Sequence, residues 1–221
     1  MTGQNHVYRI IFKKLGAVKY ISHLDLTRVF TRALTRADID LKHSEGFNPH
    51  PKLSFSLPLS VGTESLCERM TIITADCCNM DADEIFRRLS EQLPKGISLV
   101  SCSVEDDNPK DDVYAAEYEI KIYSFSSEET EKLKSALAMP ELIVDKRTKS
   151  GVKPTDIKSQ IISAEVFEIG GTTILSAVLS ADNSEYLNPE YLLSVAAKAV
   201  CRELEPGEFS IKRTKTLTRY K

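Results

Sequence analysis

With 221 residues, 42% hydrophobic and 28% charged, the chain has room for one large domain or two small ones and the composition of a folded soluble protein. A formal net charge of −3 excludes a generally basic nucleic-acid coat protein, so any basic surface must be local. No apolar run approaches bilayer length and the first residues lack a charged-then-apolar signal layout, so a cytoplasmic protein without membrane contact is expected. The five cysteines (Cys67, Cys77, Cys78, Cys102, Cys201) are odd in number and lack Cys-x-x-Cys spacing. They read as fillers, and not as a disulfide framework, a zinc ribbon or an iron–sulfur cluster.

Residues 7–13 alternate and are rich in β-formers, which predicts a first strand. Leu15-Gly16 turns the chain. Ser22-His23-Leu24-Asp25 has the form of a capping box, with Ser22 as N-cap and the Asp25 carboxylate reaching back to free amides. The helix it opens aligns Leu26, Val29, Phe30, Ala33, Leu34 and Ala37 on one stripe. Arg28, Arg32 and Arg36 follow at successive i+4 steps as a basic ridge one side chain wide. Short strands are expected at residues 39–43 and 53–59, and a longer one at 66–74. Asp81-x-x-Glu84 caps a second helix with Ala82, Ile85, Phe86, Leu89 and Leu93 as its apolar face. Pro94-Lys95-Gly96 ends it before a strand at 97–104. Strand, helix, strand, strand, helix, strand is the order of a ferredoxin-like, or split βαβ, unit.

Residues 105–112 are acidic, carry a proline and lack an apolar side chain, which marks a linker. The element order then repeats. Residues 114–123 alternate as a strand, Ser126-x-x-Glu129 opens a helix to about Leu137, and residues 142–145 form a short strand. A basic excursion over residues 146–158 carries Lys146, Arg147, Lys149, Lys153 and Lys158. Residues 161–168 and 172–179 form a hairpin around Gly170-Gly171. Asn188-Pro189 supplies N-cap and first turn of a helix burying Leu193, Ala196, Ala197, Val200 and Leu204. Residues 208–214 close as a strand before a basic tail with Lys215, Arg219 and Lys221. The expected fold is α+β, two tandem ferredoxin-like units with antiparallel sheets, over residues 1–105 and 113–221.

Chemistry concentrates in residues 43–56. Gly46, Pro49 and Pro51 exclude a helix there, and each residue before a proline is driven toward extended backbone. Residues 44–52 therefore read as a stiff loop carrying Ser44, Glu45, Phe47, Asn48, His50 and Lys52. Ser44, His50 and Asp25 can be written as a nucleophilic triad, but no Gly-x-Ser-x-Gly elbow places the serine. His23, Asp25, His43 and His50 are conceivable metal ligands. Neither a P-loop nor a Gly-x-Gly-x-x-Gly is present, so nucleotide chemistry and bound cofactors are not expected. RNA binding fits better, with Phe47 able to stack an unpaired base and Arg28, Arg32, Lys149 and Lys153 among the separate basic patches.

The run Tyr20-Ile21-Ser22-His23-Leu24-Asp25, followed by Ser44-Glu45-Gly46-Phe47-Asn48-Pro49-His50-Pro51-Lys52-Leu53-Ser54-Phe55, resembles the radical-SAM-linked proteins of bacteria, a family built around a domain of unknown function. The resemblance extends to Lys149-Ser150-Gly151 and Asp156-Ile157-Lys158, with Lys158 where arginine is expected. It implies a companion role beside a radical SAM protein encoded nearby, which would hold the chemistry.

Three readings follow from the sequence. In the first, the protein is an accessory, substrate-recognising partner of a radical SAM enzyme, with RNA or a ribonucleoprotein as substrate class. In the second it is an RNA-processing or metal-assisted hydrolase using His23, Asp25 and His50. In the third it is a protein-only adaptor. Because the Ser22 helix and the proline-rich loop both follow early strands, His23 or Asp25 is expected beside residues 44–52 in one concave surface.

Overall fold

The computed structural model describes residues 6–75, 78, 80–105, 113–148, 151–182 and 185–219, and the chain divides into two compact units, Met1–Asp111 and Asp112–Lys221. Residues 106–112 of the expected linker, with Cys77, Lys149 and Lys221, lie outside the described residues.

In the first unit, β1 (Val7–Lys14) alternates so that Tyr8, Ile10 and Phe12 are buried on one face. A 3-10 turn at Gly16–Tyr20 leads into α1 (His23–Arg36), where the Ser22 hydroxyl oxygen accepts from the Asp25 amide at 3.1 Å. The expected capping box is incomplete. The Asp25 carboxylate accepts from the Ser22 hydroxyl and from Arg28, because aspartate is one methylene shorter than the glutamate that closes such a box. Leu26, Phe30, Ala33 and Leu34 of α1 are buried as the apolar stripe requires. After β2 (Leu53–Ser56) and β3 (Thr63–Ile73), α2 (Ala82–Gln92) begins with the Asp81 carboxylate accepting from the Glu84 amide at 2.8 Å. It adds Ile85 and Leu89 to the core, and β4 (Ile97–Glu105) completes the unit.

The strands lie in the order β4-β1-β3-β2 with every neighbouring pair antiparallel. This is the ferredoxin-like arrangement, in which each helix carries the chain across one intervening strand. Residues of α1 and α2 join one cluster with Tyr8, Ile10, Phe12, Met70 and Ile72, so both helices cover the same sheet face. The return from α2 into β4 needs Gly96. Its φ is +97°, and a Cβ there would stand 2.7 Å from the Leu15 carbonyl oxygen.

Two expected strands differ. Residues 39–43 make only the isolated bridges Leu41↔Thr74 and His43↔Pro51, because the loop that follows draws the chain away from the sheet. β2 stops at Ser56 because Leu57 adopts a φ of +47° and Pro58 follows.

The second unit contains β5 (Val113–Ile122), α3 (Ser127–Leu137), β6 (Ile143–Thr148), β7 (Gly151–Asp156), β8 (Ile161–Ile169), β9 (Thr172–Ser180), α4 (Glu190–Val200) and β10 (Phe209–Thr218). Its main sheet runs β10-β5-β9-β8, again antiparallel throughout, so the same fold recurs once β6 and β7 are set aside. Among the described residues those two pair only with each other, and the basic excursion falls in this inserted hairpin. α3 carries a complete capping box, with Glu129 accepting from the Ser126 amide at 2.8 Å. Pro189 is the N-cap of α4, one residue later than expected, and the Asn188 side-chain amide oxygen still accepts from the Glu190 amide at 3.1 Å.

Candidate nucleic-acid interface

Residues 44–52 are closed at the root by a latch. The Ser44 amide donates to the His50 carbonyl at 2.8 Å, and the His50 amide donates to the Ser44 hydroxyl oxygen at 3.0 Å. Below it, Lys52 donates to the Lys42 carbonyl at 2.7 Å, and Ile73 in β3 donates to Lys52 at 3.0 Å. Gly46, at a φ of +125°, lets the chain reverse beyond the latch. Ser44 is thus a structural closure. Phe47 stands at the tip with a relative exposure of 112%, more open than in an extended peptide, and forgoes the roughly 1.5–3 kcal/mol that burying such a ring provides. Among the described residues, the side chains of Glu45, Asn48, His50 and Lys52 have no hydrogen-bond or ion-pair partner.

The loop opens onto the sheet face that the unit's helices leave uncovered. Phe55 pairs with Met70 and Leu53 with Ile72, all packed on the helix side, so their neighbours Ser54 and Thr71 point the other way. A concavity of about 400 Å³ joins Ser44, His50 and Lys52 to Ser54, Thr71 and Ile73 on that opposite side. By register, the same face carries Arg9, Lys13, Arg69, Ser98, Ser101 and Ser103. Its acid Glu105 sits 3.4 Å from Arg9. The surface thus carries hydroxyl donors and cations, the groups from which anionic oxygens accept.

His23 and Asp25 do not join this site. The His23 ring meets the Phe55 ring edge-on at 5.3 Å on the helix side, next to Phe12 and Phe30. Asp25 lines a separate groove with Arg28, Arg32 and Arg36. The Ser22 hydroxyl, and then the Arg28 guanidinium, hold the Asp25 carboxyl below the usual carboxylate range. The expected shared concavity is therefore corrected, because the period-two pleat sends the two sets to opposite faces of β2. The Ser44–His50–Asp25 triad is not assembled, and neither is a His23–Asp25–His50 set.

A family model described as "Uncharacterized protein conserved in bacteria (DUF2344)" matches residues 7–189, which takes in the loop, β1 to β4 of the first unit and the second unit up to the N-cap of α4. The chain belongs to this family. No curated protein matches it. Among solved structures, a chain of a Cbf5-Nop10-Gar1 complex is similar at a TM-score of 0.51 and 11% identity, over 96% of this chain and 49% of that one. The DUF2344 chain spans about half the length of that chain, and the likeness is one of fold. An unknown protein from Galdieria sulphuraria is similar at a TM-score of 0.28 and 14% identity, over 97% of this chain and 99% of that one.

In the second unit of this DUF2344 protein, Lys153 is exposed on β7, but two other lysines of the excursion have structural work. The Lys158 ammonium donates to the Leu137 carbonyl at 2.6 Å, capping the C-terminus of α3. Lys146 donates to Gln160 at 2.6 Å and lies over the Tyr191 ring, and burial lowers its pKa. The Asp156-Ile157-Lys158 step is the root of the hairpin. Asp156 accepts from the Leu142 and Lys158 amides at 2.8 and 2.9 Å, and Ile157 is fully buried. Among the described residues, no group of three or more His, Cys, Asp or Glu side chains is placed to hold a metal ion. Burial pushes the Cys102 thiol up to about 12, which makes it a packing group.

Among the described residues three buried charges, Lys14, Glu68 and Arg213, went unnoticed in the sequence. Lys14 is 2% exposed and donates to the Lys19 and Ile21 carbonyls at 3.4 and 3.2 Å, tying β1 to the entry of α1. The signal was present, because residue 14 continues the inward phase of residues 8, 10 and 12.

Proposed function

We propose that this protein is the substrate-recognising companion of a radical SAM enzyme and that its substrate is RNA or a ribonucleoprotein. The observation that carries the RNA half is the latched loop, which holds an exposed ring and four unpartnered polar side chains at the rim of a sheet face rich in hydroxyls and cations. Phe47 stacks an unpaired base, Asn48 and His50 address its edge, and Lys52 with the sheet cations meets the phosphates. The radical SAM half rests on the resemblance of the two motif strings. A hydrolase reading has no assembled catalytic set behind it, since His23 and Asp25 lie on the other side of β2 from His50.

Fluorescence anisotropy with a short labelled single-stranded RNA tests the recognition role. Phe47→Ala should weaken binding by about 1–3 kcal/mol, roughly five- to 150-fold, without lowering the melting temperature. Lys52→Ala should reduce the slope of log affinity against log salt by about 0.7. Affinity indifferent to Phe47→Ala would refute the loop as the recognition element. RNA cleavage by the purified chain, abolished in His50→Ala, would replace the companion by an enzyme. Copurification of a radical SAM protein from the native host tests the partner.

A further inference from the structure

The groove beside α1 remains outside that interface. It holds about 480 Å³ on the helix side of the first unit, with Arg28, Arg32 and Arg36 along one wall and Val29, Leu93 and Pro94 as an aliphatic floor. Two of the three guanidinium groups are anchored. Arg28 is 3.0 Å from Asp25, and Arg36 donates to the Gln92 carbonyl at 2.7 Å, where α2 ends. Arg32 lies between them, exposed, and among the described residues it has no hydrogen-bond or ion-pair partner. The groove therefore presents three fixed-charge donors against one carboxylate, Asp25, which Arg28 already engages.

We infer that this groove docks an extended acidic segment of a protein partner, one whose carboxylates alternate with apolar side chains. Charge complementarity selects an anion, and guanidinium groups favour flat, bidentate oxyanions such as carboxylates. Successive arginines four residues apart rise about 6 Å along the helix. Alternate side chains of an extended peptide are about 6.6 Å apart, so consecutive carboxylates follow the arginine row. The side chains between them turn toward Val29, Leu93 and Pro94. An RNA strand meets the charge but finds no aromatic ring on these walls to stack a base, whereas the loop across the sheet offers one. The molecule thus has two recognition surfaces on opposite faces of one sheet, and the protein partner of the companion reading uses the helix side.

The test uses the full chain and three labelled probes: a peptide of alternating glutamate and valine, its glutamine–valine counterpart, and oligouridylate. The glutamate peptide should bind in a salt-sensitive manner and the glutamine peptide should not. Arg32→Glu should weaken the glutamate peptide at least about tenfold while leaving oligouridylate binding and the melting temperature unchanged. Phe47→Ala should do the reverse, so failure of the RNA reading and failure of this one are distinguishable. Equal binding of the two peptides, or indifference of the glutamate peptide to Arg32→Glu, overturns the inference. Loss of oligouridylate binding in Arg32→Glu with the peptide unaffected also overturns it and assigns the groove to nucleic acid.

Discussion

Glu129 and Asp25 occupy the same third position of their helices, yet the glutamate reaches the Ser126 amide at 2.8 Å while the aspartate stops at the Ser22 hydroxyl. The Ser-x-x-acid pattern located both helix starts correctly; the reach of the acid lay outside what the pattern encodes. The Glu129 contact is measurable through pH. The Ser126 backbone amide, then the Ser126 hydroxyl and Arg202, hold the Glu129 carboxyl below its ordinary value. A lowered folded-state pKa gives stability that is present above the unfolded value of about 4.3 and is lost as pH falls through the folded value. Thermal unfolding from pH 7 down to pH 2 should show wild type above Glu129→Gln at neutral pH and the two converging in acid. A constant offset across the range would assign the effect to packing instead of charge. Removing the cap hydroxyl, in Ser126→Ala, should cost about 1 kcal/mol at neutral pH.

Among the elements, the strongly periodic ones were readable. α1 buries the stripe its spacing implies, and Phe30 sits at its centre with ring centroids 4.7 Å from Phe12 and 5.8 Å from Phe55. Phe30→Ala should therefore destabilise the protein by about 3–5 kcal/mol in urea unfolding, whereas Phe47→Ala, which touches no core, should leave the midpoint in place. A similar loss in both would mean that the loop ring packs somewhere. Of the β6–β7 hairpin only the first part was readable, as the expected strand at residues 142–145; Lys146, Lys153 and Pro154 mask the alternation beyond it, and its order comes from Asp156 and Lys158 at its root. Residues 39–43 looked like a strand for the opposite reason. Ile39 and Leu41 alternate inward, but the chain meets its neighbours only at two bridges.

At the scale of the molecule, the repeated strand order followed from the order of elements, but the placement of the candidate site did not. Which side of the sheet the loop opens onto depends on the register of Phe55 with Met70, and a slip of one residue would have put His50 on the same side as His23. The alternation of Leu53, Ser54 and Phe55 says which side chains turn inward but not onto which face the loop before them opens, so the two motif strings looked like one site and are two. The latch at the root of the loop has a thermodynamic consequence of its own. A segment that is held before its ligand arrives has its conformational entropy charged to folding, so association fixes little further chain. Ser44→Ala leaves every contacting group of the loop in place and removes only the acceptor of the His50 amide. Calorimetry should then show RNA affinity falling through a more unfavourable entropy at nearly constant enthalpy, the mark of a loop that has to be frozen anew at each encounter.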